Sequence, residues 1–341
     1  MKVITFGEIL LRLSAPGYTK LFQKDSLDSS FCGSEANVAV SLSIMGLESA
    51  FVTKLPDNDV GHAAINSLRY FGVDTSATVY GNGRMGLYYL EKGASQRPSK
   101  VIYDREYSSI AMARRGDFDW DKILDHSDWF HWSGINPALS DELAAICEDA
   151  CKAAKKKGIT VSCDLNYRSK LWRPEKAQSL MNPLMKYVDV CICNEEDAEK
   201  VLGIRAKESD VESGVFNSAG YIHTAEMIHR FFGCKYIANT FRKSYSASRN
   251  GWSAMLFNAE TSESFFSNEY DIQIVDRVGS GDSFAAGLIY AMTQKMKCQD
   301  IIEFAAASSC LKHTIEGDYN RTTVADIKAL LQSGGNGRVQ R

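Results

Sequence analysis

Six β-rich apolar runs recur along the 341 residues, KVITFGE, SAFVTKL, WFHWSGI, TVSCDLN, DVCICNE and YIANTF, with helical patterns between most of them. A strand that returns through a helix to a parallel neighbour makes a right-handed crossover, so this alternation predicts an α/β fold: βαβ units and a mostly parallel sheet flanked by helices. With 45% hydrophobic and 24% charged residues the chain can bury such a core, and its length suits one large α/β domain over 1–335 with an appendage. Ligands of these sheets sit beyond the carboxyl ends of the strands. Several runs end there in polar residues: Asp164 and Asn166, then Asn194 and Glu195, then Thr240.

Two stretches break the rhythm. Residues from about 9 to 33 and from about 86 to 106 read as short strands separated by turns, without a helical pattern. Together they suggest a small β-sheet lid, which over the strand ends would exclude water from a reaction; an edge hairpin or a dimer surface fits the same pattern. Residues 205–222 read as a surface insertion, and 336–341 as a disordered tail.

The net charge is −3 with no block of one sign, which argues against a nucleic-acid or membrane surface and for a small soluble partner. The opening MKVITFGEILLRLS lacks the continuous apolar segment of a secretory leader, and no stretch approaches the ~20 apolar residues of a membrane span. Nine cysteines, an odd number, are spaced as core residues and not as a disulfide framework: Cys147 and Cys151 lie one helical turn apart, and Cys191 and Cys193 share a strand face. A cytoplasmic location is expected. Neither the cysteines nor the six histidines have zinc-ligand spacing.

The stretch DRVGSGDSFAAG, residues 276–287, joins DIQIVD, which alternates as a strand, to Phe284, Leu288, Ala291 and Met292 at helical spacing. Gly279, Ser280 and Gly281 at such a turn can aim successive N–H groups at one point, and the helix start adds positive potential. This is an anion cradle, and Asp282 sits inside it. Two roles suit that carboxylate: cap of the helix, or acceptor of a proton from a substrate hydroxyl while the N–H groups hold charge on the transferred group. The P-loop pattern is absent, and the literal GxGxxG at 81–86 runs into β-like GLYYLE, so it reads as a turn.

DRVGSGD resembles the C-terminal signature of the ribokinase-like (PfkB-type) carbohydrate kinases, and CGSEANVAVSLSIMG, residues 32–46, resembles their N-terminal signature. The resemblance implies a ribokinase-like Rossmann-type sheet with a β lid, and phosphoryl transfer from ATP to a sugar hydroxyl with Mg²⁺ bridging the phosphates. By it Asp282 is the base, and the N–H groups of Gly279, Ser280 and Gly281 hold charge on the γ-phosphoryl, with Gly279 and Gly281 also contacting nucleotide. CNEEDAEKVLG stands where the family has N-x-x-E, which implies Asn194 as a nucleotide and metal residue and Asp197 as a metal residue acting through water; an acidic first helical turn is the plainer reading. The family's glycine-containing nucleotide loop is replaced by FRKSYSASRNGW, leaving Thr240 and Arg242 as candidates for phosphate contact. Asp276 is structural or lies near a monovalent ion, and a homo-oligomer is implied.

Arginines separate the candidate sugars, because a sugar acid presents a carboxylate that a guanidinium binds with two prongs. VIYDRE places Tyr103 and Arg105 on one face of a strand, and Asn166, Tyr167 and Arg168 follow TVSCDLN. With Trp172, GLY at 86–88 and Gly-Asp at 317 and 318, these segments resemble the 2-keto-3-deoxygluconate kinases of the family. By that resemblance Gly33, Asn37, Tyr88, Tyr103, Arg105, Arg168 and Asp318 line a sugar-acid pocket, and phosphorylation of the terminal hydroxyl gives 2-keto-3-deoxy-6-phosphogluconate. Each residue also has an ordinary role: packing for the tyrosines, surface charge or capping for the arginines, turn geometry for Asp318. Two other functions compete, a kinase for fructose or another neutral sugar and a catalytically silent sugar-acid-binding regulator.

Overall fold

The computed structural model describes residues 1–205 and 218–334. The readings of 205–222 and 336–341 therefore fall largely outside the described residues, although Ser218–Phe232 is a helix.

The body is a nine-stranded sheet in the order Glu263–Phe266, Arg249–Asn258, Tyr236–Ser246, Val190–Cys193, Thr160–Asp164, Trp129–Ser133, Lys2–Phe6 and Glu48–Val52, with Tyr270–Gln273 also paired to Arg249–Asn258. From Tyr236–Ser246 to Glu48–Val52 all neighbours are parallel. The strands beyond are antiparallel. SAFVTKL divides: the main-sheet strand stops at Val52, and Lys54–Pro56 pairs with Val79–Gly81.

Strand periodicity explains why both faces are covered. Ile4 and Phe6 enter one apolar cluster and Val3 the other; Cys191 and Cys193 part in the same way from Val190 and Ile192. The first cluster is closed by the helices Asp141–Lys156, Pro174–Met185 and Ser218–Phe232. The second is closed by Ser34–Ile44, Ser280–Thr293 and Cys298–His313. All nine cysteines are free thiols within this packing, and only Cys298 is partly exposed. Among the described residues no helix is long and apolar enough to cross a membrane.

A separate four-stranded sheet, in the order Asp28–Cys32, Leu10–Ser14, Gly86–Glu91 and Lys100–Asp104, is built from the two stretches that lack a helical pattern. The strand of DIQIVD ends early, at Gln273. Asp276 turns inward instead, its Oδ1 accepting from Val278 N and its Oδ2 from Arg12 and Gly317 N. Lys2–Phe6 has Trp129–Ser133 on one side and Glu48–Val52 on the other, so strand order reverses beside it. A crevice forms at the carboxyl end of such a switch point.

Candidate active site

The turn into the Ser280–Thr293 helix explains its glycine. Gly279 is the N-cap at φ 83°, a left-handed conformation, and a Cβ there would stand 2.1 Å from Asp318 O. No side chain caps this helix, so Asp282 does not take the capping role that its position allows. Its Oδ1 accepts from Ser34 Oγ at 2.7 Å and its Oδ2 from Asn37 Nδ2 at 2.6 Å. Both donors lie in the first turn of the Ser34–Ile44 helix. That turn is pressed against the exit of the first strand so closely that a Cβ on Gly33 would meet Glu8 O at 2.0 Å. Ser34 accepts in turn from Asn166 Nδ2 at 3.1 Å.

Three carboxyl groups share this floor. Burial pushes Asp282 up to about 6, against the pull of the Ser34 and Asn37 donors. Burial likewise brings Glu35 to about 7 and holds Asp164 well above the usual carboxylate range, with Asp197 and Asp282 adding repulsion at Asp164. Asp282 is thus a carboxyl poised near neutrality beside a helix start.

One cleft contains Asp282, Gly279, Ser280 and Gly281 together with Gly33, Asn37, Tyr88, Tyr103, Arg105, Arg168 and Asp318. The small sheet supplies one wall. Tyr88 is buried there and donates from its hydroxyl to Asp318 Oδ2 at 2.7 Å. Arg105, just past the Lys100–Asp104 strand, stacks over the Tyr103 ring at 4.9 Å. Its Nε and Nη2 both donate to Glu8 Oε2, so that edge of the fork is occupied and Nη1 remains. Arg168 also lines the cleft and donates from Nη1 to Tyr167 O; among the described residues it forms no ion pair within 4.0 Å, although its charge acts on Asp164, Asp197 and Asp282.

Four residues inferred for nucleotide or metal do not line the cleft: Asn194, Asp197, Thr240 and Arg242. Asn194 and Asp197 form a capping box on the Glu195–Leu202 helix, and Asp197 Oδ1 also accepts from Tyr167 N. Each Asp197 oxygen already serves a backbone N–H, so this pair fits a magnesium ion through water better than by direct ligation. Among the described residues no group of three or more His, Cys, Asp or Glu side chains is arranged to hold a metal. Thr240 and Arg242 lie on the Tyr236–Ser246 strand, Arg242 near enough to Arg277 to help lower its pKa, after burial.

Four side chains escape the sequence reading. Glu8 orients Arg105, and Ser108 Oγ donates to it as well. Glu35 looks like an ordinary first-turn acid of its helix but is buried beside Asp282. Arg12, on the Leu10–Ser14 strand, forms buried ion pairs with Asp276 and Asp318, which lie 264 and 306 residues away. Arg277 borders the cleft, donates to Ala247 O, and leaves Nε without a partner among the described residues. Only Arg277 had a local signal, its place directly before the glycine turn.

The family model described as pfkB family carbohydrate kinase matches residues 1–217 and 249–323. A solved 2-dehydro-3-deoxygluconokinase from Thermotoga maritima is 53% identical, with a TM-score of 0.93 over 97% of this chain and 99% of that one. The 2-dehydro-3-deoxygalactonokinase of Haloferax volcanii is 30% identical over 98% of both chains. The 2-dehydro-3-deoxygluconokinase of Bacillus subtilis is 24% identical over 93% of this chain and 91% of its own.

Proposed function

The chain belongs to the pfkB family of carbohydrate kinases, and from that premise we propose that it transfers the γ-phosphoryl group of ATP to the terminal hydroxyl of 2-keto-3-deoxygluconate. The observation that carries this reading is the meeting of Arg105 and Arg168 in one cleft with Asp282 and the 279–281 turn. Two guanidinium groups suit an acid head, and Asp282 in the same cleft suits the hydroxyl that receives the phosphoryl group.

In this reading Asp282, steadied by Ser34 and Asn37, takes the proton of the terminal hydroxyl as its oxygen attacks the γ-phosphorus. The N–H groups at 279–281 face the charge on the transferred group, and the unpaired Nε of Arg277 adds positive potential beside them. Ser280 N is only weakly engaged, donating to Arg277 O at 3.4 Å. Mg²⁺, held with the nucleotide and through water by Asn194 and Asp197, would neutralise phosphate charge.

The Haloferax volcanii relative, named for the galactonate compound, favours a second reading in which the C4 epimer is also accepted. ADP release should be compared on 2-keto-3-deoxygluconate, 2-keto-3-deoxygalactonate, gluconate, fructose and ribose, beside Asp282→Asn. Turnover confined to the keto-deoxy acids and absent in the variant supports the proposal. Turnover on fructose alone returns Arg105 and Arg168 to structural roles, and none at all favours a silent binder.

A further inference from the structure

Lys312 is the one lysine whose side chain is wholly buried, at 0% exposure among the described residues. A buried ammonium is costly unless its donors are satisfied. Here Nζ donates to two main-chain carbonyls, Asp276 O at 3.1 Å and Ile315 O at 3.2 Å. These belong to the two segments that meet at the anion turn: 276–279 leads into it, and 315–318 ends at Asp318, whose carbonyl abuts Gly279. The last turn of the Cys298–His313 helix docks on the same place, its His313 carbonyl accepting from Val275 N and Asp276 N. The helix's C-terminal end thus adds negative potential around the ammonium.

Arg12 and Lys312 balance Asp276 and Asp318 within this buried cluster. Burial lowers the Lys312 pKa while Asp276 and Asp318 oppose that change, so the carboxylates help keep the ammonium charged. Without Lys312, Arg12 would be the only cation ion-paired with Asp276 and Asp318, one positive charge against two negative, beside Arg277 and the turn to which the proposed function brings a polyphosphate. A compact ammonium that donates to two carbonyl oxygens can stand in for a small desolvated cation such as potassium or ammonium.

We propose that Lys312 is a positioning residue that serves as a built-in monovalent cation, locking the 276–281 turn to the 315–318 segment so that the enzyme needs no dissociable ion there. Its kinetic consequence rests on the anion-turn reading of the site; its structural consequence does not.

The test uses the full chain with whichever sugar of the panel turns over, in potassium, sodium and tetramethylammonium chlorides at one ionic strength. Wild-type rates should agree within about twofold. Lys312→Ala, which opens room for an ion, should lose about tenfold or more in kcat in tetramethylammonium with sugar KM near wild type, and regain several-fold in potassium or ammonium. A purely structural loss would not return on adding a small cation. Melting temperature in the same salts reads the seat without turnover: potassium or ammonium should raise that of Lys312→Ala and leave wild type unmoved. Strong activation of the wild type by potassium overturns the proposal, as does a Lys312→Ala enzyme with full kcat in tetramethylammonium or one rescued by neither ion. Should the variant not fold, the wild-type series decides alone, indifference supporting the proposal and activation overturning it.

Discussion

Asn37 donates its side-chain amide to Asp282 Oδ2 at 2.6 Å across 245 residues of sequence, tying the first helix of the chain to the helix of the glycine turn. The amide holds the carboxylate in place and favours its ionised form, which is the form the proposed base role requires. Asp282→Asn keeps the shape and removes the proton acceptor; kcat should fall by roughly 10³-fold or more. Asn37→Ala should fall less, by roughly 10- to 100-fold, and both should bind nucleotide. Steady-state kinetics beside nucleotide titration checks this.

The same carboxyl sets a pH window. The proposed base role requires Asp282 to be ionised, so kcat/KM should fall as pH drops through about 6.

Stability runs the other way. Asp282 and Glu35 are raised in the fold from 3.8 and 4.5 to about 6 and about 7, so the folded chain binds their protons more tightly. Their stabilising contribution is full below the unfolded values and is lost as pH rises through 6 to 7. Glu35→Gln cannot ionise, so it should melt a few degrees above wild type at pH 8 and close to it near pH 4.5. Thermal melts at the two pH values check the sign.

Arg105 gives its Nε and Nη2 to Glu8, whereas Arg168 forms no ion pair among the described residues. Arg168→Ala should therefore lower kcat/KM on the keto-deoxy acid by roughly 10²-fold with little effect on a neutral sugar. Glu8→Gln should cost less, through a loosened Arg105, and should act mainly on KM. A kcat-against-KM comparison on two sugars separates these effects.

Arg12 carries a different load. Its guanidinium joins the small sheet to Asp276 and Asp318, and its removal takes away the ion-pair partner of two buried carboxylates. Arg12→Ala should lose about 3–5 kcal/mol of stability. Urea unfolding measures it.

What could be read from sequence follows from distance along the chain. The sheet was legible because strand alternation is local, and Cys191, Cys193 and their neighbours obey it residue by residue. Asp282 and its glycines were legible because turn, helix start and carboxylate are contiguous. Arg12 carries no such signal, since an arginine in LLRLS reads as the solvent face of a strand until partners from the far end of the chain meet it. Glu8, Glu35 and Lys312 were hidden for the same reason. Each is a charge in an ordinary strand-end or helical context whose burial is decided by a distant segment. The fork of Arg105 was legible as a group, and its prior claim by Glu8 was not.

Asp282-dependent transfer to a sugar acid is tested most directly by identifying the product formed from ATP and 2-keto-3-deoxygluconate by phosphorus and proton NMR. A phosphate ester on the terminal carbon, formed by the wild type and not by Asp282→Asn, is the expected result. A phosphate at another position, or an Asp282→Asn enzyme that still forms the terminal ester at the wild-type rate, would contradict it.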